Sequence, residues 1–111
     1  IRILSNLKKH FLLAVVTNNN RIQTEKILLA LGIKKFFKVT QTFTDSNLLK
    51  PDPKVFIQVA KRLRLKPAEC LSVGDRLDVD LLPASKIGMK TFRVASPRTI
   101  SRLVPHLSHL F

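Results

Sequence analysis

The sequence predicts a layered α/β fold with a mainly parallel sheet and right-handed crossovers. Three observations carry that expectation. Strand and helix signals alternate four times along the chain. The apolar run at residues 12–16 is continuous rather than alternating, as suits an interior strand covered on both faces. Asp75, Asp78 and Asp80, three of the seven acidic residues, come directly after a second short apolar run, and open parallel sheets bind ligands at that end of a strand.

Across residues 1–10 and the next position, Leu4, Leu7 and Phe11 recur at helical spacing with Lys8 and Lys9 on the other side, the pattern of a helix end. Residues 12–16 form the first strand. The run at 11–16 comes after Lys8-Lys9-His10 and superficially imitates a signal peptide, but it is too short and enters Thr17-Asn18-Asn19-Asn20 without a small-residue cleavage site. Asn20 is positioned to cap a helix over residues 21–31, closed by Gly32. Residues 39–43 alternate, with Thr40 and Thr42 between Val39, Gln41 and Phe43, which predicts a half-polar edge strand, and residues 45–50 read as a loop. Asp52 and Pro53 are the N-cap and first residue of a helix whose apolar face holds Val55, Phe56, Val59, Ala60 and Leu63. A turn with Pro67 leads to a strand at 70–73. Val79, Leu82 and Ala84 continue as a helix ending near Ile87-Gly88. Residues 91–94 are a further strand, and residues 97–104 an amphipathic helix that Pro105 ends or kinks.

At 111 residues the chain holds one domain, spanning residues 1–111, with no linker, repeat or low-complexity tract. It begins with Ile1 rather than Met, as a processed chain or a fragment would. Twenty Lys and Arg against seven Asp and Glu leave a net charge of +13, which speeds encounter with phosphorylated ligands, nucleic acid or anionic membrane without choosing among them. The cations are scattered through every segment, and neither Trp nor Tyr is present to stack bases. A generally basic surface is therefore expected rather than specific nucleic-acid binding. The single cysteine, Cys70, excludes an internal disulfide and fits a cytoplasmic setting, and its apolar neighbours make it a buried strand residue rather than a reactive thiol.

Three places carry candidate chemistry. After the first strand, free N–H groups at a helix start together with the Thr17 hydroxyl can hold phosphate oxygens; ordinary helix capping explains the same residues. Lys50 precedes Pro51, so its backbone is biased to extended conformation outside the helix, where its charge can face a phosphate or a carboxylate, although a solvated lysine is the plainer reading. The carboxylates of the 75–80 segment repel one another and call for a cation.

Taken together and in order, the strand ending in Thr17-Asn18, the Lys50-Pro51-Asp52-Pro53 helix entry, and Gly74-Asp75 with Asp80 five residues further on resemble the second, third and fourth motifs of the haloacid dehalogenase-like hydrolase superfamily, particularly its phosphatase branch with a small helical cap. The stretch from Ala84 to Thr91 is also similar to the family's helix and strand after the fourth motif, and the resemblance runs from about Leu4 to Val94.

The resemblance implies a Rossmann-like three-layer sandwich and a phosphomonoester hydrolase acting through an aspartyl-phosphate on a small phosphorylated substrate. Thr17 would hydrogen-bond the phosphoryl group, Asn18 would add a neighbouring contact, and Lys50 would neutralise phosphate and nucleophile. Asp75 would bind Mg2+, and Asp80 would support the metal shell or orient Lys50. Mg2+ suits such oxygen ligation because it keeps several waters and shares the substrate phosphate. Asp78 matches no motif position and is expected at the surface or behind the metal ligands.

One departure from the family pattern matters. Its first motif, an Asp-x-Asp on the central strand, lies upstream of all these positions, and no Asp precedes Asp45 here. The chain thus resembles the carboxyl-terminal part of such an enzyme, without cap or nucleophile strand, and is expected to be inactive alone. The missing strand would lie between the one ending at Thr17 and the one ending at Asp75, leaving two buried edges unpaired. A non-catalytic relative that keeps the anion pocket and contacts a partner or nucleic acid through its basic surface is the competing reading. Oligomeric state and substrate identity are not legible.

Overall fold

The computed structural model describes residues 2–94. In order, these form helix α1 (Arg2–Lys8), strand β1 (Ala14–Val16), helix α2 (Arg21–Ala30), strand β2 (Val39–Gln41), the single-turn helix α3 (Phe43–Ser46), helix α4 (Pro53–Leu63), strand β3 (Leu71–Gly74), helix α5 (Leu82–Lys86) and strand β4 (Lys90–Arg93). The helix expected at residues 97–104 lies outside the described residues.

Both strand pairs are parallel, with Ala14 opposite Val39 in β1–β2 and Leu71 opposite Lys90 in β3–β4. The crossovers run through α2 and α5 respectively. The two pairs are separate: among the described residues β1 pairs only with β2, and β3 only with β4. Between β1 and β3 lies a cleft of about 570 Å3, lined by Ala14 and Val16 from one strand and Leu71, Ser72 and Val73 from the other, with Lys50 and Asp80 also on its wall. Val73 is consequently 44 % exposed although it sits in a strand.

Side chains from alternate positions in and just before the strands fill two separate apolar clusters, because neighbouring residues of an extended chain point to opposite faces. Cys70, Val16 and Met89 join Val55, Phe56 and Ala60 of α4 and Ala84 of α5. Leu71, Leu13 and Phe92 join Leu7 of α1. Helices therefore cover both sides of the strands, the layered α/β arrangement expected from the sequence.

Local chemistry sets the element ends. The Asn20 side chain accepts from Gln23 N and opens α2, and beyond its last turn Gly32 takes a φ of +68° that a side chain would disfavour. Asp52 accepts from Lys54 N and Pro53 begins α4, as the sequence predicts. The strand expected over residues 39–43 instead stops at Gln41. Asp45 turns back to accept from the Thr42 N–H at 2.6 Å and from the Thr42 hydroxyl at 2.9 Å, so Thr42 leaves the ladder to cap α3. The loop expected at 45–50 accordingly starts with helix. Between β3 and α5, residues Leu77–Leu81 form a π-helical turn closed by Leu82 N to Leu77 O. Pro83 comes at once and has no N–H to extend a regular α-helical ladder through this segment.

Candidate functional site

Residues 17–20 leave the carboxyl end of β1. Thr17 keeps the strand pairing through its N–H to Gln41 O, while its hydroxyl accepts from Asn19 N at 3.1 Å. The Asn20 side chain is spent on the α2 cap. Asn18 reaches across to the loop before α4: its Oδ1 accepts from Lys50 N at 2.7 Å and its Nδ2 donates to Lys50 O at 3.2 Å. With backbone N and O both held, Lys50 directs its ammonium to Asp80 Oδ1 at 2.6 Å.

The Asp80 carboxylate is itself held from several directions. Oδ2 accepts from Arg76 N, the backbone carbonyl of Asp80 accepts from the Ser72 hydroxyl, and the side chain lies against Gly74. A Cβ at position 74 would stand 2.5 Å from Asp80 Cβ, so only glycine lets the carboxylate lie this close to β3. Lys50 and Asp80 are 16 % and 14 % exposed, a setting far less screened than a surface pair.

Asp75 sits immediately after β3. Its backbone carbonyl accepts from Arg93 Nε at 3.3 Å, and its exposed carboxylate makes no hydrogen bond or ion pair among the described residues. The remaining acids of the described chain are engaged: Glu25 with Arg21 and Lys34, Asp45 with Arg21, Asp52 and Glu69 in caps, Asp78 with Arg76. The Arg76 guanidinium beside Asp78 holds that exposed carboxyl below its ordinary value, and Asp78 is a surface residue.

Among the described residues no three His, Cys, Asp or Glu side chains converge on a metal-sized point. The donor chemistry still fits a water-rich hard cation, which needs only one or two carboxylates. Asp75 offers both oxygens freely, whereas Asp80 has one on Lys50 and the other on a backbone N–H. Cys70, expected as a buried strand residue, is half-buried and stands just before β3 on its α4 side, and burial together with the neighbouring Glu69 charge raises its thiol pKa.

Two residues that organise this end of the molecule escaped sequence reasoning. Arg21 donates to both oxygens of Asp45, to Thr40 O and to Glu25, tying α2, β2 and α3 together. Thr42-x-x-Asp45 is a capping-box spacing and was the available signal. Nothing in the sequence pointed to Arg21 as its partner, because 24 residues separate Arg21 from Asp45.

The model of the haloacid dehalogenase-like hydrolases matches residues 1–88. The chain belongs to that family. A glyceraldehyde 3-phosphate phosphatase of Methanopyrus kandleri is 40 % identical over 84 residues, which cover 76 % of this chain and 36 % of the relative. Among solved structures, a haloacid dehalogenase-family phosphatase from Thermococcus onnurineus superposes with a TM-score of 0.90 at 30 % identity, covering 96 % of this chain and 55 % of that one. YfnB from Bacillus subtilis bound to magnesium superposes at 0.84 with 26 % identity, covering 96 % and 53 %. The chain thus spans well under half the length of the curated relatives it matches first and about half of the matched structures. The Rossmann-like fold expected from the motif order is the fold of this family. Among the described residues, no helix is long and apolar enough to cross a membrane.

Proposed function

We propose that this chain supplies the phosphate-binding and metal-binding half of a Mg2+-dependent phosphomonoester hydrolase, and that it is inactive without a strand in its central cleft. The observation that carries this reading is the half-buried Lys50–Asp80 pair at a cleft between β1 and β3, which do not pair with each other, with Thr17 and Asp75 at the carboxyl ends of those strands. The domain assignment, a partial core over residues 1–111 without first motif or cap, belongs to the same proposal.

In this reading the Thr17 hydroxyl, which accepts from Asn19 N in its own loop, donates a hydrogen bond to a phosphoryl oxygen. Lys50 sets its charge against the oxygens on which negative charge gathers in the transition state. Asp80 keeps the ammonium in place. Asp75 would hold Mg2+, which when bound offsets phosphate charge as a Lewis acid. The attacking carboxylate comes from the strand that fills the cleft: its oxygen bonds to phosphorus as the bond to the ester oxygen breaks and that oxygen takes up a proton from water to leave as the alcohol, and water then cleaves the acyl phosphate to inorganic phosphate and the free carboxylate. A small phosphate monoester is the expected substrate, with glyceraldehyde 3-phosphate the first to try because relatives carry that name.

The test measures Mg2+-dependent release of inorganic phosphate from p-nitrophenyl phosphate and glyceraldehyde 3-phosphate. It compares the chain alone with the chain co-expressed with the amino-terminal part of the Methanopyrus relative that it does not match. Turnover is expected only in the second case, and only with Asp75 intact. Hydrolysis by the chain alone, lost on Asp75→Asn, overturns the need for a further strand; no hydrolysis by a formed complex overturns the phosphatase reading.

A further inference from the structure

We propose that Asn18 is a positioning residue that acts on phosphate through Lys50. This rests on the phosphatase reading, in which Lys50 faces the phosphoryl group. A side-chain amide has an acceptor oxygen and a nitrogen with two N–H donors. In Asn18 the oxygen and one N–H engage a single residue, at 2.7 Å to Lys50 N and 3.2 Å to Lys50 O, across 32 positions of sequence. One hydrogen bond would fix a distance; two to opposite ends of the same residue also fix its orientation.

The position they fix is one the chain cannot fix by itself. Lys50 stands outside α4, between the exposed Leu49 and Pro51, with no helical or strand ladder to hold its N–H and C=O. Its side chain has four torsions to order, and Asp80 secures only the far end. With Asn18 at the backbone and Asp80 at the ammonium, Lys50 is held at both ends. The same three residues link the loop after β1 to the turn after β3, where the strands themselves do not pair.

A double-mutant cycle separates the two roles. Dissociation of inorganic phosphate, in the presence of Mg2+, is measured by NMR titration of the 111-residue chain as wild type, Asn18→Ala, Lys50→Ala and the double variant. Asn18→Ala is expected to weaken phosphate by about 2- to 10-fold, the loss of a hydrogen bond, and the double variant to bind no more weakly than Lys50→Ala. Losses that multiply would show Asn18 acting on the phosphate directly and overturn the proposal.

The ε-methylene signal of Lys50 in lysine-labelled chain gives a readout independent of phosphate. It is expected to move toward the exposed-lysine position in Asn18→Ala while signals of β3 and β4 stay in place. Asn18→Asp keeps the acceptor for Lys50 N but loses the donor to Lys50 O, and is expected to move the signal only part of the way, which covers the case in which the alanine variant does not fold. An unmoved Lys50 signal in a folded Asn18→Ala chain overturns the proposal. Failure of phosphate binding in the wild type, with the Lys50 signal behaving as expected, would count against this chain holding phosphate without the further strand and not against the positioning role.

Discussion

Lys50 Nζ lies 2.6 Å from Asp80 Oδ1, and the contact joins the loop before α4 to the turn after β3 across a cleft that no strand bridges among the described residues. Removing either partner strands the other in a poorly hydrated place. Lys50→Met should destabilise the chain by about 1–3 kcal/mol, below the range for a fully buried pair because both groups keep some solvent. Urea denaturation of Lys50→Met, Asp80→Asn and the double variant checks this. The double should lose clearly less than the two singles combined.

Gly74 is fixed by steric contact with the same carboxylate. A methyl group there would meet Asp80 Cβ at 2.5 Å, and neither the strand nor the π-helical turn can move without giving up bonds. Gly74→Ala is therefore expected to cost about 1–3 kcal/mol, the range of overpacked sites, despite alanine's better intrinsic propensity. Denaturation midpoints together with the Lys50 side-chain NMR signal report both the loss and the displaced ion pair.

Asp45 supplies a pH signature. Burial pushes its carboxyl upward, but the Thr42 N–H and the Arg21 guanidinium outweigh burial and hold the folded value below the ordinary one. A depressed folded pKa means the stabilisation is fully present above the unfolded value of about 3.9 and is lost as pH falls through the folded value. Asp45→Asn should thus be less stable than wild type by about 1–2 kcal/mol at pH 7, the scale of a cap plus a charge-assisted bond. That gap should close below about pH 4. A gap that stays constant down to strongly acid pH would refute the assignment.

The cleft predicts an unusual tolerance. Val73 is a strand residue with 44 % exposure on the cleft wall, so Val73→Lys should change the stability of the chain alone by no more than about 0.5 kcal/mol, as at ordinary surface positions. The same substitution should abolish turnover by the chain co-expressed with the amino-terminal part of the Methanopyrus relative. Binding of a hydrophobic dye to the chain alone should fall in Val73→Lys, since the apolar wall gains a charge.

Much of this was legible in the sequence because it depends on near neighbours. Asn20, Asp52 and Pro53 announced the helix starts, since a cap is satisfied within three residues. The continuous apolar run before Thr17 announced a strand covered on both faces, and the order of three short motifs announced the family. The strand expected through Phe43 failed for an equally local reason: alternation alone cannot distinguish a ladder residue from a cap, and Thr42 was claimed by Asp45.

What the sequence could not show is which side chains meet over long separations. The 75–80 segment reads as clustered carboxylates awaiting a cation, yet its members part company in three dimensions. Asp80 is held by Lys50, Asp78 by Arg76, and of the three only Asp75 is left free for a metal among the described residues. Asn18, adjacent to Thr17, also hydrogen-bonds the backbone of Lys50, 32 positions away. Local hydrogen bonding and side-chain periodicity act over a few residues and can be read from order alone. The pairing of a distant lysine, amide and carboxylate depends on where the crossovers place the strand ends, and that placement exists only once the layers have packed.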